Sequence, residues 1–115
     1  MNFSFRIDRN GKADVIALEG MLTDKSQATE LFASVDKLLA ENRNRFIISL
    51  ENSKYMNSTG LNILINILTK ARKSGGEVVV CNVPQKINEL LLITKLNTVF
   101  TVTPSLDEAM SKIEA

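Results

Sequence analysis

The sequence predicts an α/β domain in the order β-β-α-β-α-β-α-β-α, with a mixed, mostly parallel sheet and an antiparallel first strand. Three observations predict it. An apolar–polar alternation at the N-terminus is interrupted by Asn10-Gly11, the signature of a hairpin. Beyond it, short apolar runs of strand length alternate with longer segments whose apolar residues recur at helical spacing. The chain has 115 residues, enough to bury one core and too few for two, so residues 1–115 read as a single domain.

Phe3, Phe5 and Ile7 alternate with Ser4, Arg6 and Asp8, which is strand period. Asn10-Gly11 reads as the centre of a type I′ turn, whose two central residues need positive φ. The partner strand spans Lys12 to Glu19, and Gly20 to Thr23 read as a loop leaving it. Asp24 and Gln27 form a capping-box-like start for a helix with Ala28, Leu31, Phe32, Val35, Leu38 and Leu39 on one face. Asn42 to Asn44 end it. Phe46 to Leu50 is an almost unbroken apolar run, as expected of a central strand covered on both faces.

Glu51 to Asn57 read as a polar loop apart from Tyr55 and Met56. A second helix spans Thr59 to about Ser74, closed by Gly75-Gly76. Glu77 to Cys81 is another buried strand. Pro84 opens a third helix through Ile87, Leu90 and Leu91, and Leu90 to Ile93 form its longest buried-looking run. Val99 to Val102 is a short strand. Ser105 and Glu108 box the start of a last helix that turns Ala109, Met110 and Ile113 inward.

Composition removes several functions. Hydrophobic residues at 44% and charged residues at 23% are those of a folded domain, not a disordered one. Lys plus Arg number 14 and Asp plus Glu 13, so the basic excess that direct nucleic-acid binding needs is missing. With no histidine and one cysteine, neither a zinc site nor Ser-His or Cys-His catalysis is expected; no catalytic residue, metal or cofactor is assigned. No apolar run approaches the roughly 20 residues of a membrane span, and the first residues alternate in polarity without a signal-like core. The expectation is a cytoplasmic protein without membrane insertion, which suits a lone thiol.

The most informative segment is Tyr55-Met56-Asn57-Ser58-Thr59-Gly60-Leu61, which follows a buried strand and opens a helix. Ligands and partners of open parallel sheets bind at the carboxyl ends of strands. Ser58 has two readings. As an N-cap its hydroxyl accepts from a free backbone N–H. As a phosphoacceptor it would place about −1.5 to −2 charges where backbone N–H groups and the helix dipole accommodate an anion. Thr59 is the second acceptor candidate, its other reading a solvated first-turn residue. Gly60 is either a packing constraint or clearance for a partner's backbone in an exposed first turn. On this second reading an arginine at Gly60 would leave the fold intact and block the partner.

Asn57-Ser58-Thr59-Gly60-Leu61 resembles the Asp-Ser-[Ser/Thr]-Gly-Leu motif of anti-sigma-factor antagonists, in the STAS domain superfamily. Leu18-Glu19-Gly20-Met21-Leu22-Thr23 is similar to that family's segment before its first helix. Leu92 to Phe100 followed by Ser105 to Ala109 is similar to its C-terminal pattern. The resemblance spans almost the whole chain and departs from the motif at Asn57, where the family commonly has Asp.

That resemblance implies a single STAS-like domain that works as a binding module. The unphosphorylated form would bind an anti-sigma factor that is also a serine kinase, freeing a sigma factor for transcription. The kinase, which itself holds the ATP, would phosphorylate Ser58, and a serine phosphatase would reset it. Partner contacts are then expected from Leu22, Thr23, Asp24, Met56, Asn57, Ser58, Thr59, Gly60 and Leu61, with the loop before the first helix flanking Ser58. The competing reading is a constitutive scaffold subunit of a signalling or transport complex, without phosphoswitching. An enzyme is the third, disfavoured by the lack of histidine, of a glycine-rich phosphate loop and of a base for the serine.

Other signals have plainer readings. Cys81 reads as a small buried hydrophobe. Lys70, Arg72 and Lys73 match the dipole at a helix C-terminus. Tyr55 and Met56 read as half-buried loop anchors, and Leu61 and Ile65 as the margin of an apolar arc open to core or interface.

Overall fold

A right-handed crossover between neighbouring parallel strands puts its helix on a fixed face of the sheet. In the computed structural model, which describes residues 2–114, the five strands stand in their chain order, β1-β2-β3-β4-β5. The three crossover helices therefore share one face. β1 (Phe3–Asn10) pairs antiparallel with β2 (Ala13–Leu22). β3 (Arg45–Met56), β4 (Glu77–Cys81) and β5 (Thr101–Thr103) follow in parallel. The helices are α1 (Thr29–Ala40), preceded by a 3₁₀ turn at Lys25–Ala28, then α2 (Ser58–Lys73), α3 (Gln85–Ile93) and α4 (Leu106–Glu114).

Strand alternation divides the core in two. Ile16, Phe46, Ile48, Val78 and Val80 face Leu31, Val35, Leu64, Ile67 and Leu91 of α1–α3. Ile47, Val79 and Cys81 face Ala109 and Ile113 of α4. The Phe46–Leu50 run is covered on both faces, as its composition predicts. Among the described residues no helix is long and apolar enough to cross a membrane.

Several boundaries differ from the sequence reading. The hairpin turn is centred on Gly11-Lys12, because Asn10 pairs with Ala13; only Gly11 has positive φ, the sign pattern of type II′ rather than I′. Gly20 does not end β2. At φ +87° it lies in a stretch of shifted register, between Ala17/Glu19 and Gly20/Met21, that lets β2 run on to Leu22. The expected polar loop Glu51–Asn57 is strand as far as Met56, held by its pairing with β2. In α3 only Ile87 and Leu91 are buried; Leu92 and Ile93 face solvent.

One polar cluster is buried at the amino end of the parallel strands. Asp14 is fully enclosed, accepts from Arg9 Nη1 at 2.8 Å and from Arg43 Nε at 3.2 Å, and also pairs with Arg43 Nη2. The triad ties β1, β2 and the α1–β3 loop. Hydrogen bonding to Asp14 raises the Arg43 pKa above its ordinary value.

Candidate functional site: the carboxyl ends of the second and third strands

Parallel pairing sets Leu22 beside Met56, so the loops that leave β2 and β3 emerge together. The first is fixed by a capping box. Asp24 Oδ1 accepts from Ser26 N at 3.1 Å. Gln27 Oε1 accepts from Thr23 N at 2.9 Å and from Asp24 N at 3.0 Å, while its amide donates to Met21 O at 3.0 Å.

Asn57 is the N-cap of α2, not Ser58. Its backbone is extended, its Oδ1 accepts from Gly60 N at 3.1 Å, and its Nδ2 donates to the Thr23 carbonyl at 3.2 Å. An aspartate there accepts but cannot donate, so the amide gives this chain a stitch between the two loops that the more usual acid lacks. Ser58 is thereby displaced to the first helical position. It is exposed, and among the described residues its hydroxyl makes no hydrogen bond, so the cap reading of Ser58 is corrected. Thr59 follows, half-buried.

Gly60 is not an open position in an exposed turn. It is buried, and a Cβ there would overlap the Leu22 carbonyl oxygen and lie 2.7 Å from Met56 Cγ. The packing reading of Gly60 holds, and an arginine cannot be added without moving β2. Leu22, Met56 and Leu61 are buried too, each 1–2% exposed. Of the nine residues expected at the contact, Thr23, Asp24, Asn57, Ser58 and Thr59 reach the surface, and Leu22, Met56, Gly60 and Leu61 support them from beneath.

Beside Ser58 lies an open cleft of about 260 Å³ between the end of β3 and α3. Lys54, Tyr55 and Asn57 line it from the strand side, and Lys86, Ile87 and Leu90 from α3. The sequence reading missed Lys54, Lys86 and Leu90, because only the fold brings α3 to this end. Tyr55 is 49% exposed rather than an anchor. Lys70 and Arg72 are drawn into ion pairs, with Asp36 at 2.9 Å and Glu77 at 3.1 Å, so they form no free basic patch. Cys81 is buried, and burial pushes its thiol pKa up, partly opposed by a hydrogen bond with Ser49. Among the described residues no group of three or more His, Cys, Asp or Glu side chains is placed to hold a metal.

These features define a class: a small α/β module whose candidate site is a surface of joined loops beside a shallow cleft. The STAS domain family model matches residues 6–109, and the chain belongs to that family, whose members of this type are binding modules and not enzymes. The chain is 22% identical over 115 residues to an anti-sigma F factor antagonist of Paenibacillus polymyxa, covering 99% of this chain and 97% of the relative. Its fold is similar to that of an anti-sigma factor antagonist from Mycobacterium paratuberculosis, with a TM-score of 0.84 at 20% identity, covering 99% and 96% of the two chains. It is also similar to the Bacillus cell fate determinant SpoIIAA in its phosphorylated form, with a TM-score of 0.73 at 15% identity, covering 96% and 99%.

Proposed function

We propose that this protein is an anti-sigma-factor antagonist switched by phosphorylation of Ser58. The unphosphorylated chain binds an anti-sigma factor that is also a serine kinase, and so frees a sigma factor for transcription. The kinase transfers the γ-phosphoryl group of its own ATP to Ser58 Oγ, the complex separates, and a serine phosphatase restores the chain. Thr23, Asp24, Asn57 and Thr59 share the contact surface.

The observation that carries this reading is the division of labour between Asn57 and Ser58. Asn57 caps α2 and joins the two loops, while Ser58 projects an exposed hydroxyl with no structural duty. A phosphate added there meets the positive end of the helix dipole and leaves the cap in place. The charge then acts on the contact and not on the fold. Relatives named as anti-sigma factor antagonists support the partner class.

The test is titration against purified anti-sigma kinases encoded by the same genome, with ATP and site mapping by mass spectrometry. Ser58→Ala is expected to bind like wild type. Ser58→Asp is expected to keep its melting temperature, since Asp suits the first helical turn, yet to bind at least about ten-fold more weakly. Equal binding by both variants, with no phosphate on Ser58 or Thr59, would make the chain a constitutive scaffold.

A further inference from the structure

The cleft beside Ser58 has an apolar floor and a rim of one sign. Ile87 is buried at its base and Leu90 half-buried along its wall. Lys54 and Lys86 line it from opposite sides, and no carboxylate lines it. Among the described residues neither Lys54 nor Lys86 forms an ion pair, as is also true of Lys12, Lys25, Lys37, Arg45, Lys73, Lys95 and Lys112; what sets the two apart is that they share one cleft. Since the formal charge of the whole chain is only +1, this positive rim is a local arrangement.

The apolar surface continues outward. Lys86, Leu90 and Ile93 recur at i, i+4 and i+7 and so form one row along α3. Ile93 is 78% exposed, and Tyr55 stands half-exposed at the cleft. A volume of about 260 Å³ lies below the usual range for a small-molecule or cofactor site and suits one large side chain. Two lysines are too few to follow a nucleic-acid backbone.

We propose that this cleft receives an acidic, apolar segment of the partner protein: one aliphatic or aromatic side chain enters against Ile87 and Leu90, and flanking carboxylates pair with Lys54 and Lys86. The proposal rests on the partner-binding reading of this face and names the chemistry of what binds there. It also supplies a route from modification to release. A phosphate on Ser58 is a divalent anion on the same rim, so it competes with the partner's carboxylates for the two ammonium groups.

The experiment is a selection of random twelve-residue peptides on the immobilised full chain, with the K54E/K86E chain as counter-target. Both lysines are exposed, so that chain is expected to fold; circular dichroism checks this, and K54Q/K86Q replaces it if it does not. Selected peptides should carry Asp or Glu around a Leu, Ile or Phe. They should shift the amide resonances of Tyr55, Ser58, Leu90 and Ile93, and bind the charge-altered chain at least about ten-fold more weakly. A K37E/K112E chain, with the same change of charge elsewhere, should bind them like wild type. An empty selection, neutral or basic peptides, equal loss in the K37E/K112E chain, or shifts mapping to another face would each overturn the proposal. The kinase titration reads something else. Peptide binding without Ser58 phosphorylation keeps the cleft and rejects the switch, and phosphorylation without peptide selection does the reverse.

Discussion

Replacing Gly60 by alanine ought to stabilise α2 by ordinary helix propensity, by up to about 1 kcal/mol. The structure predicts the opposite sign. The new methyl would overlap the Leu22 carbonyl oxygen and lie 2.7 Å from Met56 Cγ and 3.3 Å from Met56 Cβ. Neither neighbour can give way cheaply. Leu22 and Met56 are register partners in the parallel β2–β3 pair, and both are 1% exposed. Because one of the overlapping atoms is backbone, the upper part of the overpacking range applies, about 3 kcal/mol. Set against the propensity gain, the net loss is about 2 kcal/mol, or roughly 8 °C in melting temperature for a domain of this size. Urea and thermal unfolding followed by circular dichroism measure it. Ser58→Ala is the control, since it changes the same helical turn at an exposed side chain without hydrogen bonds. A Gly60→Ala chain as stable as the control would show that β2 and α2 are not locked together here.

Three further outcomes are expected. Asn57→Ala removes both the cap and the bond to Thr23 and should cost about 1–2 kcal/mol, whereas Asn57→Asp keeps the cap and should lose less than half of that in the same unfolding assay. Arg43→Ala strands part of the charge of the buried Asp14 and should lower the melting temperature, and adding Asp14→Asn should recover part of the loss. Burial raises the Cys81 thiol pKa, so above the pKa of the unfolded thiol the unfolded chain releases its proton first. Wild-type stability should therefore fall with rising pH from there to the folded-state pKa relative to Cys81→Ala, and the two curves should run parallel below that window.

What the sequence disclosed depended on which forces were local. β4 matches the predicted Glu77–Cys81 run because Val78 to Cys81 are all apolar and turn residues bound it. The carboxyl half of β3 was illegible because Glu51, Asn52 and Lys54 are exposed there, and its strand character comes from main-chain pairing with β2. Gly20 has the look of a breaker, and only the register shift makes it a continuation. Asn and Ser are near-equal caps, so the placement of the cap on Asn57 turns on the Thr23 carbonyl, 34 residues earlier in the chain. The Asp14 triad joins residues of three separate segments and leaves no periodic trace. The adjacency of the β2–α1 loop to Ser58 was legible, because parallel neighbours share an end.

The same topology explains why the site is a surface. Ligand crevices in open α/β sheets form where strand order reverses and crossovers diverge to opposite faces. Here the order never reverses, so α1, α2 and α3 pack side by side on one face and their N-termini rise from one end of the sheet. Two of the loops there are cross-linked by the bond from the Asn57 amide to the Thr23 carbonyl. A preorganised patch of that kind suits a protein partner, because little ordering entropy remains to be lost on docking. It also suits control by charge. With the cap assigned to Asn57, the close approach to Gly60 and Thr59 half-buried, the exposed residue between β3 and the helix interior is Ser58. On the proposed switch, a phosphate placed there alters what docks while β2, β3 and α2 remain as they are.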